Sequence, residues 1–272
     1  MRIGITIAIG LVLIGLSHGA VAADSSAPFS GSYVGVNAGA AWGNASYATN
    51  PNCPPATVQA TFCDSSTLAN GAAVAASGTG HLSPAGFTGG VQAGHNWQVG
   101  TVVYGGEVDL GAFDLSQSAT ASAAFPPSAF VGTQYTVTES MKADWLATLR
   151  ARLGVTVTPQ LLLYATGGLA FSEVKFSSGY SDNAIGPNGG IFLTGGTGFG
   201  SRSELRTGWT AGGGGELLLD RNWSLKFEYL FVELRSISVL VPTSNTPAYA
   251  QTMEVNSDLN AQIARIGFNY LY

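Results

Sequence analysis

The chain has 272 residues, 10% of them charged, with 37 glycines and a mean hydropathy of +0.23; soluble domains carry roughly 25% charge. Sixteen acids outnumber eleven bases, which argues against a nucleic-acid partner, because such surfaces carry a basic stripe. Beyond the N-terminus no run is apolar for the ~20 residues of a helical membrane span, so any membrane-facing surface must be spread over alternate residues.

Met1-Arg2 is a short positive region, and residues 3–15 follow it with Thr6 as their one polar side chain. Ala20-Val-Ala-Ala23 then offers small residues for cleavage after Ala22 or Ala23. The apolar run is too short to span a bilayer and reads as a secretory signal rather than an anchor helix. Residues 1–23 are therefore expected to be a removable signal, and 24–272 a single exported domain. Cys53 and Cys63 lie in a polar, Pro- and Thr-containing stretch. In an exported protein such a pair reads as a disulfide clipping a loop. A redox or metal pair lacks support, since there is neither a CxxC spacing nor a neighbouring histidine.

Period-two alternation then recurs in eight segments. The first, 31–43, sets Val34, Val36, Ala38, Ala40 and Trp42 against Tyr33 and Asn37. The second, 86–98, sets Phe87, Val91, Ala93 and Trp97 against Thr88, Gln92 and Asn96. In the third, 102–113, Tyr104, Val108 and Leu110 oppose Glu107 and Asp109. The fourth, 140–156, opposes Trp145, Ala147, Leu149, Ala151, Leu153 and Val155 to Asp144, Thr148, Arg150 and Arg152. The fifth, 161–176, opens on Leu161-Leu-Leu163, apolar on both sides, which leaves its register open. The sixth, 204–219, sets Leu205, Trp209, Ala211, Leu217 and Leu219 against Arg206, Thr210 and Glu216. Its Gly212–Gly215 run would weaken an ordinary strand but makes room for bulky neighbours inside a narrow barrel. The seventh, 223–239, opposes Trp223, Leu225, Phe227, Tyr229 and Phe231 to Lys226 and Glu228. The last, 258–272, carries Ala264, Ile266, Phe268, Tyr270 and Tyr272 on its apolar side and Arg265, Gly267 and Asn269 on the other.

The connections read long, short, long, short, long, short, long. That asymmetry predicts an all-β fold, an eight-stranded antiparallel up-and-down transmembrane barrel with short periplasmic turns, long extracellular loops and both ends in the periplasm. A lipocalin-like barrel or a β-sandwich uses the same period with the apolar faces turned inward. The terminal aromatic strand, the glycines and the four long polar stretches favour the membrane form. Trp97, Trp145, Trp209, Trp223, Tyr270 and Tyr272 fall near segment ends, where an aromatic girdle belongs.

If the apolar faces meet lipid, the lumen receives Glu107, Asp109, Asp144, Glu216 and Glu228 together with Arg150, Arg152, Arg206, Lys226 and Arg265. An eight-stranded barrel is just wide enough for side chains to fill, so these charges must pair. They read either as a salt-bridged plug or as a narrow gated path for small ions. Catalysis finds little support. Beyond the signal the chain has His81 and His95, and His95 is flanked by Gly94 and Asn96 with no serine beside it in sequence. Neither histidine has partners for a metal or haem site, so no cofactor is expected.

The ending, with Phe268, Tyr270 and Tyr272, resembles the C-terminal assembly signal of bacterial outer-membrane proteins. Gly31-Ser-Tyr33-Val-Gly-Val-Asn37-Ala-Gly39, Gly89-Gly-Val-Gln92-Ala-Gly-His-Asn-Trp97-Gln98, Tyr164-Ala-Thr-Gly167-Gly-Leu-Ala170, Trp209-Thr-Ala-Gly212-Gly, Lys226-Phe-Glu-Tyr229 and Arg265-Ile-Gly-Phe-Asn-Tyr are similar to the small outer-membrane β-barrel family of alphaproteobacteria, which includes immunogenic outer-membrane proteins and opacity-like porins. The resemblance spans the chain beyond its signal. It implies an outer-membrane location, surface-exposed antigenic loops and contact with the barrel-assembly machinery and outer-membrane lipids. Some members are described as porins or haem binders; His95 stands where relatives often have Tyr, and the loops show no haem-ligand cluster. The expected role is a non-enzymatic barrel serving envelope structure and surface interaction, with host or environmental ligands at the loops. The alternative is a small porin with a charge-lined lumen.

Overall fold

A computed structural model describes residues 27–52, 63, 69–126, 133–183, 195–244 and 250–272; the expected signal segment and Cys53 lie outside them. Among the described residues the elements are β1 (Gly31–Asn52), α1 (Ala69–Ser77), β2 (Gly80–Leu82), β3 (Ala85–Val99), β4 (Val102–Ala124), β5 (Gln134–Thr158), β6 (Leu161–Asp182), β7 (Thr197–Leu218), β8 (Trp223–Ser244) and β9 (Ala250–Leu271). Neighbours pair antiparallel in chain order, and β1 also pairs β9 from Tyr33↔Leu271 to Asn52↔Thr252, which closes the sheet on itself. β3 pairs residues 31–42 of β1, and β2 pairs Ala45–Tyr47 farther along. The two share one position in the wall, so the ring has eight walls, as the alternation predicts. Over the turn-ward part this closure leaves no edge strand to solvate or to aggregate, whereas loop-ward Leu115–Ala124 of β4 pair with β5 alone.

The short turns are held by local chemistry. Gly100 takes the left-handed conformation (φ 59°) between β3 and β4, where a side chain would be strained. Asp220 Oδ1 accepts from the backbone N–H groups of Asn222 and Trp223, both at 2.8 Å, and so shapes the β7–β8 turn. Thr158 Oγ1 accepts from Gln160 and Leu161 between β5 and β6.

The sidedness of the wall reverses along its length. Toward the short turns, large apolar side chains face outward in a belt: Val34 to Trp42, Phe87 to Val99, Val102 to Leu110, Leu149 to Val157, Leu163 to Leu169, Trp209 to Leu219, Trp223 to Tyr229 and Ile266 to Tyr272. Most of these stretches approach the ~9–11 residues of a tilted strand crossing a bilayer, and their inner neighbours are mostly polar side chains or glycines. Toward the loops the outer face becomes mostly polar, with Asp114, Lys142, Lys175, Glu254 and Asp258 exposed; Phe199, Leu205 and Leu240 on β7 and β8 are the large apolar exceptions among the described residues. There the inner face is apolar, with Leu115, Met141, Val174, Phe176, Val239, Val255 and Leu259 in one buried cluster. The turn-ward half is thus built for lipid, and the loop-ward half is built like a soluble barrel.

This reversal explains why the strands outrun the segments read from sequence. Stretches such as 44–52, 114–124 and 177–182, whose polar and small residues read as loop, continue the ladder beyond the belt. The polar stretches are accordingly shorter than expected, and the first contains α1 and β2. The register left open at Leu161-Leu-Leu163 is settled by burial: Leu162 and Tyr164 point inward and Leu163 outward.

Candidate functional site

Alternation aims one side chain in two at the lumen, and eight strands leave too little width for bulk on every wall. Glycine supplies the room. A side chain at Gly39 would run into the Ala264 carbonyl and the Arg265 backbone, and one at Gly214 would meet the Tyr164 hydroxyl at 2.9 Å. The space goes to eight buried charges, Glu107, Asp109, Arg150, Arg152, Glu216, Lys226, Glu228 and Arg265.

Arg150 is at their centre. Its guanidinium meets Glu107, Asp109 at 2.8 Å and Glu228 at 3.0 Å, and its Nε donates to Thr148 Oγ1 at 3.0 Å. Lys226 Nζ reaches both Glu107 oxygens, at 2.9 and 2.8 Å. Arg265 joins Glu228 (2.6 Å) to Asp109 (3.2 Å). Arg152 donates to Glu216 at 2.7 Å and to the Tyr33 hydroxyl at 3.0 Å, and it lies 4.0 Å over the Tyr164 ring. Tyr33 in turn donates to Glu107 (2.5 Å), and Tyr164 to Glu228 (2.9 Å). An amide chain, Asn37 to Gln92 to Asn269 to Glu216, links the remaining walls. Four acids and four bases in one bonded network leave no net charge, which is the condition for burying so many.

Two residues expected here are elsewhere. Asp144 is exposed on the outer wall, paired with Lys142 at 2.6 Å. The alternation on β5 changes phase at Asp144 and Trp145, where the ladders to β4 and β6 shift register, and a bulge of this kind sends the next side chain to the other face. Arg206 pairs with Glu204 at 2.6 Å. It sits ten residues from Glu216 along β7, roughly 30 Å at strand rise, and so cannot reach the cluster. It lies where the β7–β8 ladder is interrupted between Gly198 and Gly208. One acid and one base leave together, so the balance is kept. Conversely, Tyr33, Asn37, Gln92 and Asn269 stand on inward alternates in sequence but, being uncharged, gave no sign of joining the cluster; Tyr164 was hidden by the unresolved register.

The lumen is also filled on either side of the charges. Toward the short turns Phe29, Val103, Leu162 and Tyr164 pack together. Toward the loops the apolar cluster is topped by α1, whose Val74 is buried in it. Tyr135 fastens the helix, its hydroxyl donating to the Ala73 carbonyl at 2.8 Å and bonding Ser77 Oγ at 2.7 Å. Cys63 is disulfide-bonded. One acid sits among the apolar residues: Glu139, beyond the belt, accepts from Ser178 Oγ at 2.8 Å. Burial pushes its carboxyl up to about 8.

Sequence neighbours gave His95 no serine, but the fold supplies one. Ser32 is its partner across β1–β3, with Oγ and Nδ1 2.8 Å apart. His95 also packs edge-on to Trp97, the ring centroids 4.4 Å apart. Trp97 stacks with Tyr104, and Trp223 stacks with Phe268 and meets Tyr270 edge-to-face, as the girdle at the turn end. Trp209 with Phe231, and Trp42 with Tyr229, form the opposite one.

The outer membrane protein beta-barrel domain model matches residues 9–271. The chain is 34% identical to the 31 kDa outer-membrane immunogenic protein of Brucella melitensis, over 72% of this chain and 70% of that one. It is 30% identical to the 22 kDa outer membrane protein of Rhizobium leguminosarum, over 56% and 54%. Among solved structures it is similar to the outer membrane protein OprG of Pseudomonas aeruginosa, at 8% identity and a TM-score of 0.47, covering 89% of this chain and 97% of that one. The chain therefore belongs to the outer membrane protein beta-barrel family and is an outer-membrane protein.

Proposed function

We propose that the protein is a closed, non-enzymatic barrel that contributes to envelope structure and presents its loop end to the surroundings as an interaction surface. The observation carrying this reading is the filling of the lumen at three levels: the apolar cap at the turns, the neutral charge network within the belt, and the apolar cluster under α1. An ion crossing the belt would have to displace groups bonded in several directions at once, in a confined, low-dielectric space. In this orientation the short turns and both chain ends are periplasmic, and residues 1–23 act as a cleaved signal. The loop-ward half then projects into the surroundings, where loops displayed on a rigid scaffold are the usual sites of binding.

Ser32 and His95 do not alter the reading. In a serine hydrolase the acid orients the histidine through Nδ1 while Nε2 faces the nucleophile. Here the serine occupies Nδ1, and no carboxylate is bonded to His95 among the described residues. The test is osmotic swelling of vesicles holding the refolded protein in small sugars and amino acids. A closed barrel gives the swelling rate of empty vesicles, and a rate rising with protein content would replace this reading with the porin.

A further inference from the structure

Exposed basic side chains beyond the belt gather on one side of the ring. Among the described residues, Lys142, Lys175, Arg202 and Arg235 stand on the consecutive strands β5, β6, β7 and β8 among the acids Asp144, Glu173, Glu204 and Glu233, whereas the exposed charges of β4 and β9 there are the acids Asp114, Glu254 and Asp258. Lys142 and Lys175 are direct cross-strand partners. Like charges placed opposite one another destabilise a sheet, and here both point outward from adjacent walls. Lys142 has Asp144 at 2.6 Å, but Lys175 makes no ion pair among the described residues, and nearby Glu173 is engaged by Ser203 Oγ at 2.6 Å.

Between these side chains lies a surface depression of about 270 Å³, lined by Lys142, Asp144, Trp145, Glu173, Lys175 and Ser203. Trp145 stands at the upper margin of the belt, and Lys142 is three residues beyond it. With strand rise and barrel tilt this lifts the ammonium groups roughly 7 Å above the apolar zone, the depth of lipid headgroups. Leu169 and Trp209 continue the apolar surface below. The wall thus offers two opposed lysines, an indole and an apolar slope in the order in which an outer-leaflet lipid presents phosphate, sugar ring and acyl chains.

We propose that this depression is a binding site for the phosphorylated saccharide headgroup of an outer-leaflet glycolipid, with Lys142 and Lys175 bracketing a phosphate and Trp145 forming the platform for the sugar. Asp144 holds Lys142 in place while the site is empty and yields it to the phosphate. The proposal rests on the orientation given above, in which the loop end lies outside the cell.

The experiment is titration of purified, refolded protein in neutral detergent with bisphosphorylated lipid A, followed by native mass spectrometry. Dephosphorylated lipid A and phosphatidylglycerol serve as competitors. A lysine at a lipid surface is worth about fivefold in affinity, so Lys142→Gln with Lys175→Gln should weaken binding about 25-fold. Asp144→Asn should tighten it, and raised salt should weaken the wild type more than the double variant. All three side chains are exposed on the outer wall, and heat-modifiable gel mobility verifies folding of each variant. Unchanged affinity in the double variant would overturn the proposal, as would equal binding of phosphorylated and dephosphorylated lipid A or equal competition by phosphatidylglycerol. Orientation is tested separately, by labelling a Ser118→Cys variant in intact cells with a membrane-impermeant maleimide. Failure to label would refute the orientation while leaving the affinities as measured.

Discussion

Replacing Arg150 with Met removes the cation that meets three carboxylates, Glu107, Asp109 and Glu228. Lys226 and Arg265 remain on those acids but are already bonded to them, so the variant leaves one uncompensated negative charge in the network. Breaking a buried ion pair from one side costs about 3–5 kcal/mol. Glu107→Gln should cost a similar amount, because it strands positive charge on Arg150 and Lys226. Combining the two restores neutrality, and the double variant should lie within about 2 kcal/mol of wild type, a favourable coupling of several kcal/mol. The assay is urea unfolding of the refolded protein in lipid vesicles, read by tryptophan fluorescence and by gel mobility. Double-variant destabilisation equal to the sum of the single costs would refute the claim that charge balance holds the network together.

Other consequences are open to measurement. The folded Glu139 carboxyl titrates near 8 against 4.5 for the ordinary group, so the folded state holds its proton more tightly. The stability present below pH 4.5 is lost as pH rises to about 8, by at most about 5 kcal/mol; unfolding midpoints of Glu139→Gln should lack this slope, and a parallel slope in the variant would contradict it. Gly39→Val should abolish folding because the side chain collides with the Ala264 carbonyl, whereas Gly106→Ala, with nothing nearer than 3.9 Å, should fold normally by gel mobility. Tyr135→Phe removes the hydroxyl fastening α1 and should cost about 1 kcal/mol, seen as faster hydrogen exchange over residues 69–77 with the belt unchanged; equal exchange there would show that the helix is held by packing alone.

Much of this was legible in the alternation. The strand identities, the short turns and eight of the ten lumenal charges follow from period two and from the pairing that a narrow interior demands. Asp144 was misplaced because alternation assumes an unbroken phase, and a bulge leaves no mark in composition. Arg206 was misplaced for a different reason: its face is right, but depth along a strand cannot be read until the belt is located. The loop-ward half was hidden by the reversal itself. Residues such as Leu115, Met253 and Val255 line the inner face there, but they stand among small and polar residues and make no sustained period-two stripe. Ser32 was invisible beside His95 because 63 residues separate them and only the β1–β3 register joins them.

The most direct test of a filled lumen is single-channel recording of the refolded chain in a planar bilayer with insertion verified. A sealed barrel predicts a silent bilayer for the wild type over the ordinary voltage range. Discrete, reproducible current steps that change with substitution of Lys226 or Glu228 would contradict it and establish the charge network as a gate.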